Sequence, residues 1–456
     1  MRWLTRDRNF YRMLTALAIP VALQNLITFA VTLADNLMVG ALGDAAVSGV
    51  YMGGQIQTLL QMFSGGIEGV ILVLAAQYWG RRDVARIRCI SAIGLRASLA
   101  FGLLLTAVCF AFPAAVLSLF TDKPRVIAEG AAYLRIVCLS YVFFCATQAL
   151  IAAMRSVERA RIGMWVSSVS LLVNVGLNYV LIFGKLGAPV MGVRGAALAT
   201  LISRMAEAAV MLAYILAVDD RLKLRLKHFL ESDGELRRDF IRCGAPIIGG
   251  QIVWSVNMMT NSAILGRFTE EVMTAASVAN TMNSLAYVCM NGMSSAVSVI
   301  TGKTVGEGRV AQMKEYARTV QLLFLGLGLL TGGMIALLRA PFISLYAGIT
   351  PQARLYSMQF ILVLSVTMIG TCYQAACLAG LVKAGGDVDF VFKNDAIFVF
   401  LVVLPSAFIA ARLGAAPWVV FALLKSDQIL KCFVAVVKIN RFDWIRNLTR
   451  GDAATQ

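Results

Sequence analysis

The sequence has few charged residues, one histidine and no paired cysteine motif, and each scarcity excludes a class of protein. Charged residues make up 14% of the 456 positions and hydrophobic residues 59%, which excludes a water-soluble globular protein of this length. The nine cysteines stand singly and His228 is the only histidine, so neither a disulfide framework nor a His/Cys metal site is indicated. An enzyme is not indicated either, because the apolar segments hold no nucleophile beside a general base.

Long apolar runs recur along the whole chain, each about as long as the twenty residues that cross a bilayer core. The runs are continuous and do not alternate, which excludes a barrel of alternating strands. The first run is too long for a signal peptide and lacks a small-residue cleavage site. The sequence therefore predicts an all-α integral membrane protein with twelve transmembrane helices, at 13–39, 47–78, 91–117, 131–153, 163–184, 193–217, 240–266, 273–303, 317–338, 356–381, 392–411 and 415–437.

The net charge of +16 is explained by its distribution. With the N-terminus inside, Lys and Arg concentrate in both termini and in the even-numbered connections between helices. This is the positive-inside bias, and it predicts that both termini face the cytoplasm. The excess of basic residues therefore reflects the membrane topology, and we expect no nucleic-acid partner.

The chain consists of two halves with the same plan. The polar stretch 219–239 is a predicted cytoplasmic linker between a six-helix lobe at 1–218 and a second at 240–456, which ends in a cytoplasmic tail. "AIP…LADNLMVG" at 18–40 aligns with "GAP…MTNSAILG" at 244–266, and the offset stays between 226 and 229 further along. Parallel six-helix repeats are typical of transporters that hold substrate between two lobes and open to each side in turn.

Asp35 is an acid inside the first apolar run, where a carboxylate is costly. By helix rise it lies a little over one turn below the outer surface, at nearly the depth of Asn178 on helix 5. Asn174 shares a helix face with Asn178, and Thr200 on helix 6 lies about two turns below the same surface. These oxygens suit a sodium ion, or Asp35 takes up a proton. The alternative is that Asp35 bonds to interfacial water and the asparagines only join helices.

Other polar residues of the apolar runs have two interpretations each. Glu68 in helix 2 is a candidate second acid, or it pairs with an arginine of a neighbouring helix. Asn261 occupies the position of Asp35 in the second lobe, and because an amide carries no charge we expect coupling in the N-terminal lobe. A substrate cavity needs aromatic walls with a few polar groups. Its candidates are Gln24, Gln55, Gln251, Trp254, Asn257, Tyr287, Asn291, Tyr373 and Gln374.

Charged residues in and beside the helices predict local ion pairs. Spacing favours pairs between Arg204 and Glu207 and between Asp427 and Lys431, which leaves Lys425 to face a cavity. Asp387 and Asp389 lie in a glycine-containing loop after helix 10, with Lys383 or Lys393 as expected partners. Asn394 and Asp395 are interpreted as capping residues at the start of helix 11.

Several stretches together resemble the multidrug and toxic compound extrusion (MATE) family, in its bacterial type. They are "ADNLMVGALG", "AAQYWGRRD", "LLVNVGLNYVLIFG", "GAALATLISR", "VKAGGDVDF" and "DWIRNLT". The resemblance implies a V-shaped pair of six-helix lobes and a cation site in the N-terminal lobe. The residues that match this site are Asp35, Asn174, Asn178 and Thr200, which would be metal ligands if the ion is sodium. Asn178 replaces an aspartate of many relatives, and helix 7 has no acid, so the choice between sodium and proton stays open.

The resulting hypothesis is a secondary-active exporter of amphipathic, often cationic, organic compounds, working by antiport with Na⁺ or H⁺. It needs no cofactor beyond the coupling ion. Its expected partners are small organic substrates and the lipid bilayer, with the chain a monomer in the bacterial inner membrane. The alternative is a flippase for a polyprenyl-linked oligosaccharide or another lipid. Such proteins tend to have fourteen spans and an arginine-rich cavity, which counts against it here.

Overall fold

The computed structural model describes residues 4–40, 42, 44–119, 123–225, 228, 233–346 and 349–450. Across these ranges the chain is helical and has no β-strand, which confirms the all-α prediction. Its first eight helices are α1 (Arg8–Gly40), α2 (Asp44–Gly80), α3 (Val84–Ala111), α4 (Pro113–Ser118), α5 (Pro124–Val137), α6 (Ser140–Ser156), α7 (Arg161–Phe183) and α8 (Val193–Ala217).

The second set repeats this plan with two π-helical segments added, Ala375–Lys383 and Phe398–Val403. Its α-helices are α9 (Gly234–Leu265), α10 (Glu270–Gly306), α11 (Val310–Ser344), α12 (Pro351–Gln374), α13 (Val388–Ile397), α14 (Leu404–Arg412), α15 (Pro417–Leu424) and α16 (Asp427–Arg441). Each of the twelve predicted runs falls, within two residues, on one helix or on consecutive helical segments. The positions of the spans are therefore confirmed, whereas the helices extend beyond the predicted boundaries by up to seven residues, as at Val310–Ser344 against 317–338.

Nine helices within the described ranges are long and apolar enough to cross a membrane, or ten if the pair α5 and α6, bent by 51°, forms one span. Helix α9 is more polar because it carries Gln251, Asn257 and Asn261. The last predicted span is divided into the short helices α15 and α16.

Three predicted spans contain breaks. Helix α3 ends before Pro113, which occupies the first turn of α4, because proline cannot continue the hydrogen bonding of the preceding helix. The break between α5 and α6 lies at 138–139, where there is neither glycine nor proline. The third break, at Lys425 and Ser426, separates α15 from α16 and leaves Lys425 at the end of α15.

The chain divides into two compact units. The N-terminal unit is Leu23–Gly244, and the C-terminal unit is Ala245–Gln456 together with Met1–Ala22. The two boundaries fall within α1 and α9, close to the prolines that the repeat aligns, Pro20 and Pro246.

The first residues of the chain are bonded into the C-terminal unit. Tyr316 Oη donates a hydrogen bond to Asp7 Oδ2 at 2.5 Å, and the amide of Thr5 donates to Thr319 Oγ1 at 2.9 Å. The Tyr316 hydrogen bond holds the pKa of the Asp7 carboxyl below its ordinary value, against the opposing effect of burial.

Each unit has its own apolar core. In the N-terminal unit α2, α5 and α6 bury a cluster that includes Leu60, Leu134 and Tyr141. In the C-terminal unit Phe360 of α12 stacks on Phe421 of α15, with ring centroids 4.2 Å apart and planes within 2°. Aromatic pairs of this kind contribute about 0.5–1.5 kcal/mol beyond the burial of area.

Candidate functional site

The N-terminal unit brings Asp35 together with the two asparagines of α7. Asn178 Nδ2 donates a hydrogen bond to Asp35 Oδ1 at 2.5 Å and a second to Asn174 Oδ1 at 3.1 Å. Both asparagines are fully buried. Their i,i+4 spacing puts both amides on one face of α7, and that face meets Asp35 of α1.

Thr200 of α8 completes the predicted set around a cavity of about 310 Å³. Asp35, Asn174 and Thr200 line this cavity, whereas Asn178 lies behind Asp35 and contacts it directly. The Thr200 hydroxyl donates to the carbonyl oxygen of Ala196 at 3.0 Å, which leaves its lone pairs available as acceptors. The structure therefore places all four predicted residues together.

The same cavity is lined by Arg204 and Glu207, an ion pair that sequence spacing predicts and the structure confirms. Arg204 Nη1 lies 3.0 and 2.8 Å from the two Glu207 oxygens, and its guanidinium lies 5.0 Å from the centre of the Phe144 ring. That this pair shares the cavity of Asp35 was not predicted. The signal was present, because Arg204 follows Thr200 by four residues on the same helix.

The formal charge of these cavity residues is one negative unit, since Asp35 and Glu207 are acids and Arg204 is a base. Within the described chain, Asn178 Oδ1 is buried and has no hydrogen-bond partner. The nitrogen of the Asn178 amide donates to both Asp35 and Asn174. A half turn of both amides would let Asn174 Nδ2 donate to Asn178 Oδ1, and that oxygen would then face Asp35. The two asparagines can therefore offer Asp35 either a donor or an acceptor.

The C-terminal unit contains a second cavity of about 190 Å³. Four of the predicted substrate residues line it: Trp254, Asn257, Tyr287 and Gln374. Asn261, the counterpart of Asp35, lines it as well. Gln55 instead lines the cavity of the N-terminal unit.

The remaining four candidates lie outside the described linings of both cavities. Gln24 is buried and accepts a hydrogen bond from Arg155 Nη2 at 3.2 Å, and Tyr373 donates to Gln321 at 2.8 Å. Gln251 is half-buried and Asn291 is exposed.

A family model, MatE, matches residues 20–180 and, a second time, residues 246–409. The chain belongs to the MatE family. The two matches coincide with the two halves of the repeat, and the resemblance inferred from the sequence is confirmed.

Curated relatives of this MatE chain include probable multidrug resistance proteins. NorM of Rhizobium meliloti (strain 1021) is 28% identical over 68% of the chain and 66% of that protein. YoeA of Bacillus subtilis (strain 168) is 24% identical over 89% of the chain and 88% of that protein. The NorM match thus spans about two thirds of its relative, and the YoeA match nearly all.

Solved structures share the MatE fold. An outward-facing multidrug resistance MATE family transporter of the MOP superfamily superposes with a TM-score of 0.84 at 19% identity, covering 96% of this chain and 99% of that one. A MOP superfamily transporter from Pyrococcus furiosus, described as having a binding pocket of reverse polarity, has a TM-score of 0.83 at 19% identity, with coverage of 96% and 99%. At this identity the likeness concerns the fold alone, and it supports the predicted architecture of twelve helices in two lobes.

Glu68 of this MatE chain lies outside the described lining of the Asp35 cavity. It is half-buried in α2 and interacts electrostatically with Arg155 of α6. Arg155 is thus the arginine of a neighbouring helix that the pairing interpretation of Glu68 requires. A role as second acid stays a prediction.

The predicted capping role of Asn394 and Asp395 is wrong. Asn394 and Asp395 lie inside α13 and do not cap it; the N-cap position is Asp387, whose side chain makes no cap hydrogen bond. Asp395 instead pairs with Lys431 Nζ at 2.9 Å, and Lys431 also pairs with Asp427 at 3.1 Å as predicted.

Asp387 pairs with Lys438 at 2.8 Å and Arg446 at 3.0 Å, two partners that the sequence analysis did not name. The amide of Arg446 donates to the carbonyl oxygen of Gly385 at 2.7 Å. Trp444 is fully buried against Gly385, where an added Cβ would meet its ring at 2.3 Å. The closing segment Asp443–Arg446 therefore packs onto the loop before α13.

Proposed function

We propose that this MatE-family protein is a secondary-active multidrug exporter that expels amphipathic, often cationic, organic compounds in antiport with H⁺ or Na⁺. The observation that carries the proposal is the geometry of Asp35, a carboxylate at a cavity wall whose hydrogen bond comes from a neutral, buried amide. We further propose that the chain spans the bacterial inner membrane with both termini in the cytoplasm.

Asp35 is suited to exchange a cation because no ion pair with it is observed in the described structure. A carboxylate held by an ion pair is already neutralised, whereas one held by an amide keeps its charge available. Uptake of one cation changes the formal charge of this cavity from one negative unit to zero. A bound cation shifts a conformational equilibrium only if it interacts differently with the two conformations. We assign the coupling to this change of the cavity's charge.

Thr200, Asn174 and Asn178 would act as neutral oxygen ligands if the ion is sodium. If the ion is a proton, the protonated carboxyl would donate to the Asn178 oxygen after a half turn of both asparagine amides. The relatives named above are probable multidrug resistance proteins, which favours drug export over the lipid-flippase alternative.

Proteoliposomes that contain the purified protein test this function directly. Uptake of a cationic dye is followed under a pH gradient without sodium, and separately under a sodium gradient at equal pH. We expect one of the two gradients to drive accumulation and Asp35→Asn to abolish it. Asp389→Asn, an exposed acid of the C-terminal unit, is the matched control and retains transport. Gradient-driven accumulation that survives Asp35→Asn would overturn the assignment.

A further inference from the structure

Helix α11 of the C-terminal unit carries two bases on one face near its first residue. Lys314 is exposed and Arg318 is half-buried, and their i,i+4 spacing puts them one turn apart on the same side of the helix. Lys314 Nζ lies 5.3 Å and the Arg318 guanidinium carbon 5.9 Å from the centre of the Phe442 ring. Because like charges at this spacing repel each other, an anion bound to both bases would be stabilising.

The acids nearest in sequence do not neutralise these two bases. Glu315 follows Lys314 directly, but no ion pair of Glu315 is observed in the described structure. Asp443 follows the ring residue and pairs with Lys438 at 2.9 Å. Among the described residues, no observed ion pair includes Lys314 or Arg318. An ammonium and a guanidinium together therefore offer N–H donors to a ligand.

An apolar stripe continues the same face of α11 towards the bilayer. Leu322, Leu325 and Leu329 follow Arg318 at steps of three and four residues, which keeps them on its side of the helix. Their exposed fractions are 36%, 40% and 56%. Because the predicted span is 317–338, Arg318 lies at the edge of the hydrocarbon and the leucines lie within it. Along this face the order is a pair of bases and then apolar side chains, which matches the headgroup and acyl chain of a phospholipid.

We propose that Lys314 and Arg318 bind the phosphate of an anionic phospholipid, whose acyl chain packs along the three leucines. Basic clusters at the cytoplasmic end of membrane helices attract anionic lipids of that leaflet. A zwitterionic phospholipid carries a phosphate as well, but its own cationic group neutralises that phosphate. Two bases without an acid partner therefore favour a lipid of net negative charge. The site goes beyond the proposed export function and rests on the proposed topology, which puts the start of α11 at the cytoplasmic surface.

Lipid binding to the delipidated, purified protein in detergent tests this site without any gradient. Native mass spectrometry follows the retention of phosphatidylglycerol and of phosphatidylcholine with the same acyl chains. We expect phosphatidylglycerol to bind about tenfold tighter, and equal binding of the two lipids would overturn the proposal. Glycerol 3-phosphate is added as a competitor without acyl chains. It should displace little lipid at equal concentration, whereas complete displacement would indicate a site for a soluble anion and would also contradict the proposal.

Charge variants locate the preference for the anionic lipid. Lys314→Gln combined with Arg318→Gln should remove it. Arg237→Gln combined with Arg238→Gln changes two exposed bases of the N-terminal unit, and this matched control should retain the preference at the same loss of charge. A preference that persists in the first variant, or that is lost equally in the control, would overturn the assignment to α11.

A variant of the apolar stripe gives an independent test if the charge variant does not fold. Leu325→Gln should weaken the binding of both lipids and keep the preference between them, and unchanged binding would contradict the acyl contact. Asp35→Asn should leave lipid binding unaltered. A failure of coupling and a failure of this site are therefore separate outcomes.

Discussion

The two units share a plan but distribute charge differently around their cavities. In the N-terminal unit the acid stands on α1 as Asp35, and its partner is the neutral amide of Asn178. In the C-terminal unit the aligned position is Asn261, and the acids Asp395 and Asp427 are both ion-paired with Lys431. Within the described structure an acid without an ion pair thus lines one cavity, and the acids that line the other are ion-paired.

The last span of each unit carries a base that lines its cavity, Arg204 on α8 and Lys431 on α16. Arg204 pairs with Glu207 of its own helix, and Lys431 pairs with Asp427 of its own helix and with Asp395 of α13. The remaining acid distinguishes the cavities, because Asp35 has no ion pair in the described structure whereas Asp395 has one.

Exchanging the acid between the units is the change with the largest expected effect. Asp35→Asn removes the exchangeable carboxylate, so we expect gradient-driven dye uptake to fall at least tenfold. Adding Asn261→Asp to that variant should not restore uptake, because the new acid would face Lys425 and Lys431 across its cavity. Dye uptake in proteoliposomes measures both variants. Restored coupling in the double variant would show that the units are interchangeable.

Removing the base of each cavity should affect stability unequally. Lys431→Met leaves the buried Asp427 and the half-buried Asp395 without their ion pair, which costs about 3–5 kcal/mol. Arg204→Met leaves only Glu207 unpaired, and we expect a loss on the order of 1–3 kcal/mol. Thermal unfolding in detergent compares the two variants under identical conditions. An equal loss in both would contradict the difference drawn between the cavities.

A smaller effect tests whether the first residues of the chain belong to the C-terminal unit. Tyr316→Phe removes the hydrogen bond to Asp7 and should lower stability at pH 7 by about 1 kcal/mol. Because the pKa of Asp7 is lowered in the folded state, the contribution is present above the ordinary value of about 3.9 and is lost as pH falls through the folded pKa. Unfolding temperatures of wild type and variant should therefore converge below pH 4. A difference that stays constant with pH would contradict this role of Asp7.

The sequence predicted features that depend on local pattern. The apolar runs located the helices, and the i,i+3 and i,i+4 spacings found the Arg204–Glu207 and Asp427–Lys431 pairs. The depth argument, supported by the family resemblance, brought Asp35 near Asn178 although 143 residues separate them.

Features that depend on packing between distant helices were missed. Lys431 reaches Asp395 across 36 residues of sequence, and no local spacing indicates that contact. The break at 138–139 contains no glycine or proline, so the sequence does not indicate it. The π-helical segments were missed as well, because one inserted residue leaves the apolar pattern nearly unchanged.

The packing of Trp444 and Arg446 against the loop before α13 has a consequence for biosynthesis. Both residues leave the ribosome after Gly385 and Asp387, so the loop gains these contacts only after the helices between have been synthesised. A premature stop before Trp444 would leave the whole set of membrane helices translated, but this loop would lack its packing partners.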